Sequence, residues 1–301
     1  MIAAKTAYLI LAHHQPAHLA KLLKAISCDW AYVFIHIDAK ADILQFKKLI
    51  PEDKNITFLK ENQRIKVNWG GFSQVAAILN LLRAALSSGI EFDRYCLLSG
   101  ADFPIEDISC IQAQFATQKE FIRIDRQLGA SSNHRQSKNV KRFYFRDYPE
   151  LGGNWISGIM PRNLNRKIKL YHGSGWWALT DEFVKYTFSF LRGNPDYINF
   201  YKYTNSSDEI FFHSIIKHSP FSENITHDFE KMSCLSDFMS VNECGCHYVS
   251  WGKGARSPKV LDSSDINFLI NSKALFARKF DEEISEKLIS ILERKGTVGT
   301  L

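Results

Sequence analysis

Within its first hundred residues the chain alternates short unbroken apolar runs with stretches whose apolar residues return at helical spacing. The runs are AYLILA (7–12), AYVFIHID (31–38) and DRYCLLSG (93–100), and between them lie HLAKLLKAI (18–26) and SQVAAILNLLRAAL (73–86). A strand that alternates apolar with polar residues needs cover on one face only, whereas an unbroken apolar run must be covered on both. Intervening helices supply that cover. The pattern predicts an α/β fold with a Rossmann-like, mostly parallel central sheet and flanking helices.

At 301 residues and 45% hydrophobic content the chain can bury one large core or two small ones. No linker, repeat or low-complexity stretch divides it, so a single domain over 1–301 is expected. About 1–110 would form a nucleotide-binding half and about 111–301 an acceptor and catalytic half. In that second half, HGSGWWALT (172–180), a helix starting near Ser207 and an amphipathic helix from about Glu282 to Arg294 should complete the sheet and its cover.

A net charge of +6, from 38 basic and 32 acidic residues, is too even for a nucleic-acid binder. The stretch RQSKNVKRFYFR (135–146) reads as a solvated loop that leaves peripheral membrane contact open. Cysteines at 28, 96, 110, 234, 244 and 246 lie scattered, several inside apolar runs, as reduced buried thiols do. The cluster Cys244-Gly245-Cys246-His247 lacks a second ligand pair at zinc spacing and reads as a tight turn. No apolar run approaches the roughly 20 residues that span a bilayer. The expected compartment is the cytoplasm, with the inner face of a membrane within reach.

Ligands of open α/β sheets collect at the carboxyl ends of the strands. Those positions hold His13-His14-Gln15-Pro16, His36-Ile37-Asp38-Ala39-Lys40 and Ser99-Gly100-Ala101-Asp102-Phe103-Pro104. An Asp-x-Asp pair there would grip a divalent ion against a diphosphate. Instead Asp102 stands alone, and Asp38-Ala39-Lys40 carries a base where the second acid would be, so no metal is expected. Without one, a departing diphosphate needs cationic side chains. WGKGARSPKVL (251–261) and ALFARKF (274–280) provide Lys253, Arg256, Lys259, Arg278 and Lys279. In TNSSDEIFFHSIIKH (204–218), Glu209 falls in the first turn of a capped helix, which suits ordinary dipole complementation as well as a base kept ionised.

Seven pieces in order resemble one family: AYLILAH, VFIHIDAK, VNWGGFSQVAAILNLL (67–82), YCLLSGADFPI (95–105), HGSGWWALT, SSDEIFFHSII (206–216) and SPKVLDSSDINFLINSKALFARKFD (257–281). Spanning roughly 7–281, they are similar to the core-2/I-branching β-1,6-N-acetylglucosaminyltransferases and peptide O-xylosyltransferases, which have the GT-A type of glycosyltransferase fold. The resemblance implies that Glu209 is the catalytic base, that Arg256 and Lys279 bind the donor diphosphate, and that Asp38, Val67 and Trp69 line the nucleoside. It further implies that Asp102, Trp176 and Trp251 lie at the acceptor or donor sugar.

The reaction so implied is inverting and metal-independent, moving a sugar from a UDP-sugar to a hydroxyl of a glycan. N-acetylglucosamine and xylose are the leading donors: the family as a whole leans to the first, and the ending Phe-Ala-Arg-Lys-Phe-Asp resembles the xylosyltransferase branch. A bacterial surface polysaccharide or a lipid-linked oligosaccharide is the expected acceptor. Two other classes stay open. A non-catalytic carbohydrate-binding protein would use Trp69, Trp155, Trp176, Trp177 and Trp251 as stacking platforms, without needing Glu209, Arg256 and Lys279 in one cleft. A nucleotidyltransferase would need a glycine-rich phosphate loop and metal carboxylates, which the sequence does not show.

Overall fold

The computed structural model describes residues 4–129, 134–148, 157–164, 168–231, 242–252, 255 and 257–298. The expected strands and helices of the first half all form. β1 (Thr6–Ala12), β2 (Ala31–Ile37), β3 (Ile56–Phe58) and β4 (Arg94–Ser99) are followed by β5 (Asp102–Pro104), β6 (Glu120–Leu128), β7 (Leu170–Gly173), β8 (Ala178–Thr180) and β9 (Ile225–Asp228). β10 (Glu243–Cys244), β11 (His247–Val249) and β12 (Phe276–Arg278) complete the set among the described residues.

The main sheet runs β3-β2-β1-β4-β8-β6-β7, with β9 also paired to β6. Its first four strands are mutually parallel, and β8 then enters antiparallel to both β4 and β6. Apolar runs buried on both faces explain the layering. Along β1, Tyr8 and Ile10 pack into one core layer beside the helix Pro16–Ile26, while Ala7 and Leu9 pack into the other beside the helix Phe72–Leu86. Each such Leu or Ile contributes about 1.5–3 kcal/mol by leaving water.

Arg94 ties the second half to the first. Fully buried, it donates from Nη1 to the carbonyls of Lys119 and Ala178 and from Nη2 to those of Phe115 and Thr117. It thereby satisfies carbonyls at and just beyond the end of the helix Ile108–Phe115 and holds the start of β6 against β8.

A second sheet, β10-β11-β12-β5, brings distant parts of the chain together. β12 pairs antiparallel with β5 so that Arg278 faces Asp102, and parallel with β11 so that Arg278 faces Val249. The last helix spans Glu286–Val298, four residues later than the sequence suggests. The reason lies in Glu282. Its Oε1 accepts from the backbone N–H of Ala17 and of His18, so this acid caps the helix Pro16–Ile26 and does not start one of its own.

Candidate active site

The segments that follow β1, β2, β3 and β4 and the turn before residue 210 carry the candidate residues. On the nucleoside side, Asp38 is almost buried: its Oδ1 accepts from Lys40 N at 2.8 Å and its Oδ2 from Val67 N at 3.3 Å. Lys40 Nζ donates to Val67 O and lies 3.8 Å from Asp38 Oδ2. Arg64 latches the same loop, donating to the carbonyls of Ile37, Asp38 and Ala41, and Ile65 N donates to His36 Nε2. Trp69 projects from this rigid base at 76% exposure. Asp38 and Val67 are thus brought together, with Trp69 two residues further along the same loop.

The segment after Trp69 is anchored by Asp147, which accepts from Ser73 N, Ser73 Oγ and Asn68 Nδ2. That carboxylate caps the helix Phe72–Leu86, and it stands one residue beyond the stretch read as a solvated basic loop, where no local sequence signal marked it. Gly70 takes φ +75°, and a Cβ there would stand 3.0 Å from Asn205 Oδ1. Its carbonyl accepts from Ser206 N at 2.9 Å, joining the nucleoside loop to the turn that carries Glu209.

Glu209 does not lie in the first turn of an α-helix. Ser207–Glu209 form a 3-10 turn, Ile210 departs from helical angles, and the α-helix runs from Phe211 to Lys217. Ser206 enters the turn in the left-handed region at φ 51°, a conformation that costs a non-glycine residue energy and is concentrated at functional sites. Side chains, not a helix terminus, hold the acid. His172 Nε2 lies 3.2 Å from Glu209 Oε2, His172 Nδ1 lies 3.2 Å from Asp125 Oδ2, and Arg123 Nε donates to Asp125 Oδ1 at 2.6 Å. Burial opposes a charge on His172, but the bonds to Asp125 and Glu209 outweigh it and raise its pKa to about 9. Asp125 is kept below its ordinary range by His172 and Arg123 against the effect of burial. Glu209 is the accessible member of the row, with its side chain 39% exposed.

Beside it, Asp208 accepts from Gln74 Nε2 at 2.9 Å, and burial followed by the neighbouring Glu209 pushes its pKa up to about 7. A Cβ on Gly175 would stand 2.8 Å from Asp208 Oδ2. Next along the chain, Trp176 carries the guanidinium of Arg278 over its ring at 4.1 Å, and Arg278 acts electrostatically on Asp208. Lys279 follows. Burial, then His14, with help from Lys279 and Lys40 and against Asp38, lowers the pKa of His13, so Lys279 lies near the first strand's end.

Asp102 is fully buried. It accepts from Ser99 N and Ser99 Oγ, and it lies 3.2 Å from His247 Nε2 and 3.7 Å from Arg278 Nε. Burial opposes its charge, but Arg278, His247 and Ser99 lower its pKa. It positions Arg278. Trp177 is likewise wholly buried and offers no platform, whereas Trp251 is 55% exposed. Arg256 and Trp155 lie outside the described residues. Among the described residues Cys28, Cys96, Cys110 and Cys246 are free thiols; Cys110 is exposed, contrary to the expectation of buried thiols. No cluster of three His, Cys, Asp or Glu side chains suited to a metal occurs among the described residues, and no described helix is long and apolar enough to cross a membrane.

A mostly parallel central sheet with flanking helices, carrying the accessible acid Glu209 beside a turn on which Arg278 acts, has the architecture of a GT-A-type glycosyltransferase. The Core-2/I-Branching enzyme family model matches residues 6–268, and the chain belongs to that family. It is 26% identical over 300 residues to a xylosyltransferase of Ciona intestinalis and 24% identical over 307 residues to human xylosyltransferase 2, each covering 96% of this chain. The chain spans about a third of the length of those relatives, 34% and 33% respectively. Mouse xyloside xylosyltransferase 1, solved in its apo form, aligns over 74% of this chain and 84% of its own at 12% identity and a TM-score of 0.34.

Proposed function

We propose that the chain is an inverting glycosyltransferase that moves a sugar from a UDP-sugar to an acceptor hydroxyl without a metal. The observation that carries this reading is the placement of Glu209 as the exposed end of a buried carboxylate–imidazole row, near Asp208, on which Arg278 acts. The acceptor oxygen attacks the anomeric carbon and its proton passes to Glu209. The bond from that carbon to the diphosphate oxygen breaks, and its electron pair leaves with UDP.

Two features support side chains as the partners of the departing charge. Glu282 already fills the N-terminus of the helix after β1, where α/β proteins commonly seat a phosphate. Arg278, held by Trp176 and Asp102, and the adjacent Lys279 supply the alternative, and Arg256 joins them by resemblance. Xylose is the favoured donor because the relatives are xylosyltransferases, with N-acetylglucosamine second. A glycan or lipid-linked oligosaccharide hydroxyl is the acceptor, and the cytoplasm, at or near a membrane's inner face, is the setting.

UDP release from a panel of UDP-sugars, with and without EDTA, tests the reading. One donor should support release that survives chelation and vanishes in Glu209→Gln. Retained release in that variant would remove Glu209 from the mechanism, and EDTA-sensitive release would reinstate a metal.

A further inference from the structure

The row behind Glu209 is more than a base needs in order to be ionised. Arg123 and Asp125 come from β6 and His172 from β7, two antiparallel partners in the sheet, so the row is built on rigid elements and not on the loop that carries Glu209. Asp125 and His172 have side chains only 10% exposed, while that of Glu209 is 39% exposed. One carboxylate oxygen of Glu209 therefore faces a fixed partner, and the other is left to an incoming hydroxyl.

We propose that His172 is a positioning residue: bridged between Asp125 and Glu209 and able when protonated to donate to both, it sets the orientation of the Glu209 carboxylate so that the other oxygen meets the acceptor hydroxyl. This rests on the reading of Glu209 as the base. Charged and titratable groups surround the imidazole. Asp125 and Arg123 face it from β6, and Asp208 and Glu209 from the 3-10 turn. From the helix Phe211–Lys217 comes His213, whose Nε2 lies 2.7 Å from Ser174 O, and Arg278 acts from β12 on Asp208. Burial pushes the pKa of His213 down to about 3, so it stays neutral and does not compete for the two carboxylates. With His172 raised to about 9, the row carries its proton throughout the neutral range.

A merely structural histidine and a positioning one differ in what they do to a pH profile. In the wild type, kcat should fall as His172 loses its proton near pH 9. Asp125→Asn should bring that fall to lower pH, and His172→Gln should abolish it. The latter should also lower kcat about 100-fold, the scale of a small misplacement of a catalytic group, with the donor KM within about twofold. A profile that does not move in Asp125→Asn, or a loss expressed in KM alone, would overturn the proposal.

Because His172→Gln alters a buried side chain, the imidazole of His172 should also be titrated by NMR in the wild type and in Glu209→Gln. The midpoint should drop in the variant, and an unmoved midpoint would break the link whatever turnover shows. Failure of every donor to react would instead sink the transferase reading, and the titration separates the two failures.

Discussion

The guanidinium of Arg278 lies 4.1 Å from the centre of the Trp176 ring, and its Nε is 3.7 Å from Asp102 Oδ1. A planar cation can stack on an aromatic face while keeping N–H groups in its edge for a carboxylate or a phosphate; a lysine ammonium is a point charge that cannot do both. Arg278→Lys should therefore keep the fold and the charge but raise the donor KM about tenfold or more. Steady-state kinetics with the preferred donor checks this, with circular dichroism confirming the fold. An unchanged KM would mean that the stack does not serve the diphosphate.

Trp69 is expected to separate binding from stability. At 76% exposure its loss removes little packing, so Trp69→Ala should change the unfolding free energy by no more than about 0.5 kcal/mol. Stacking of one base on an aromatic ring contributes about 1–3 kcal/mol. Calorimetry with UDP should accordingly show affinity weakened between about fivefold and about 150-fold, against UDP bound normally if Trp69 faces the acceptor instead.

Asp102 should show the opposite balance. Removing one partner of a buried ionic group costs about 3–5 kcal/mol, because the others keep their desolvation penalty. Asp102→Asn should lose stability on that scale in urea. The pH dependence has a definite sign. Burial opposes a charge on His247, but Cys246 and then Asp102 raise its pKa to about 9. The stability it contributes is complete below its ordinary value of 6.5 and is lost as pH rises through 9. His172 behaves alike over the same window. Cys246 has the opposite sign: burial opposes its charge, but Cys96 and His247 hold its thiol down to about 5, so it gains stability across the same window and offsets His247. The net loss in the wild type between about pH 6.5 and 9 is therefore that of His172, about 3 kcal/mol, and in Asp102→Asn the loss should be no larger. A flat wild-type profile would contradict the assignment of His172.

Much of the first half was legible because strands buried on both faces leave unbroken apolar runs, and β1, β2 and β4 were all visible in this way. Glu209 and the basic pair at 278–279 were visible as residue types along the chain, and Asp38 does contact Val67. What could not be read was partnership. Asp102 looked like a residue at a strand's open end, yet the pairing of β5 with β12 buries it. Asp147 carried no signal and Glu282 read as the start of a helix, yet both cap helices far away in sequence. His172 carried no local signal, since its meaning comes from Asp125 on a neighbouring strand. Three-residue strands such as β3, β8 and β12 are too short for a period to declare itself.

Gly175 and Asp208 compete for one volume: any Cβ at position 175 would collide with the Asp208 carboxylate. The two positions are consequently expected to drift together among relatives. A lineage that acquires a side chain at 175 must shorten the one at 208 or turn it aside. Covariation of that pair, more than the constancy of either member, would be the historical trace of how this part of the site was assembled.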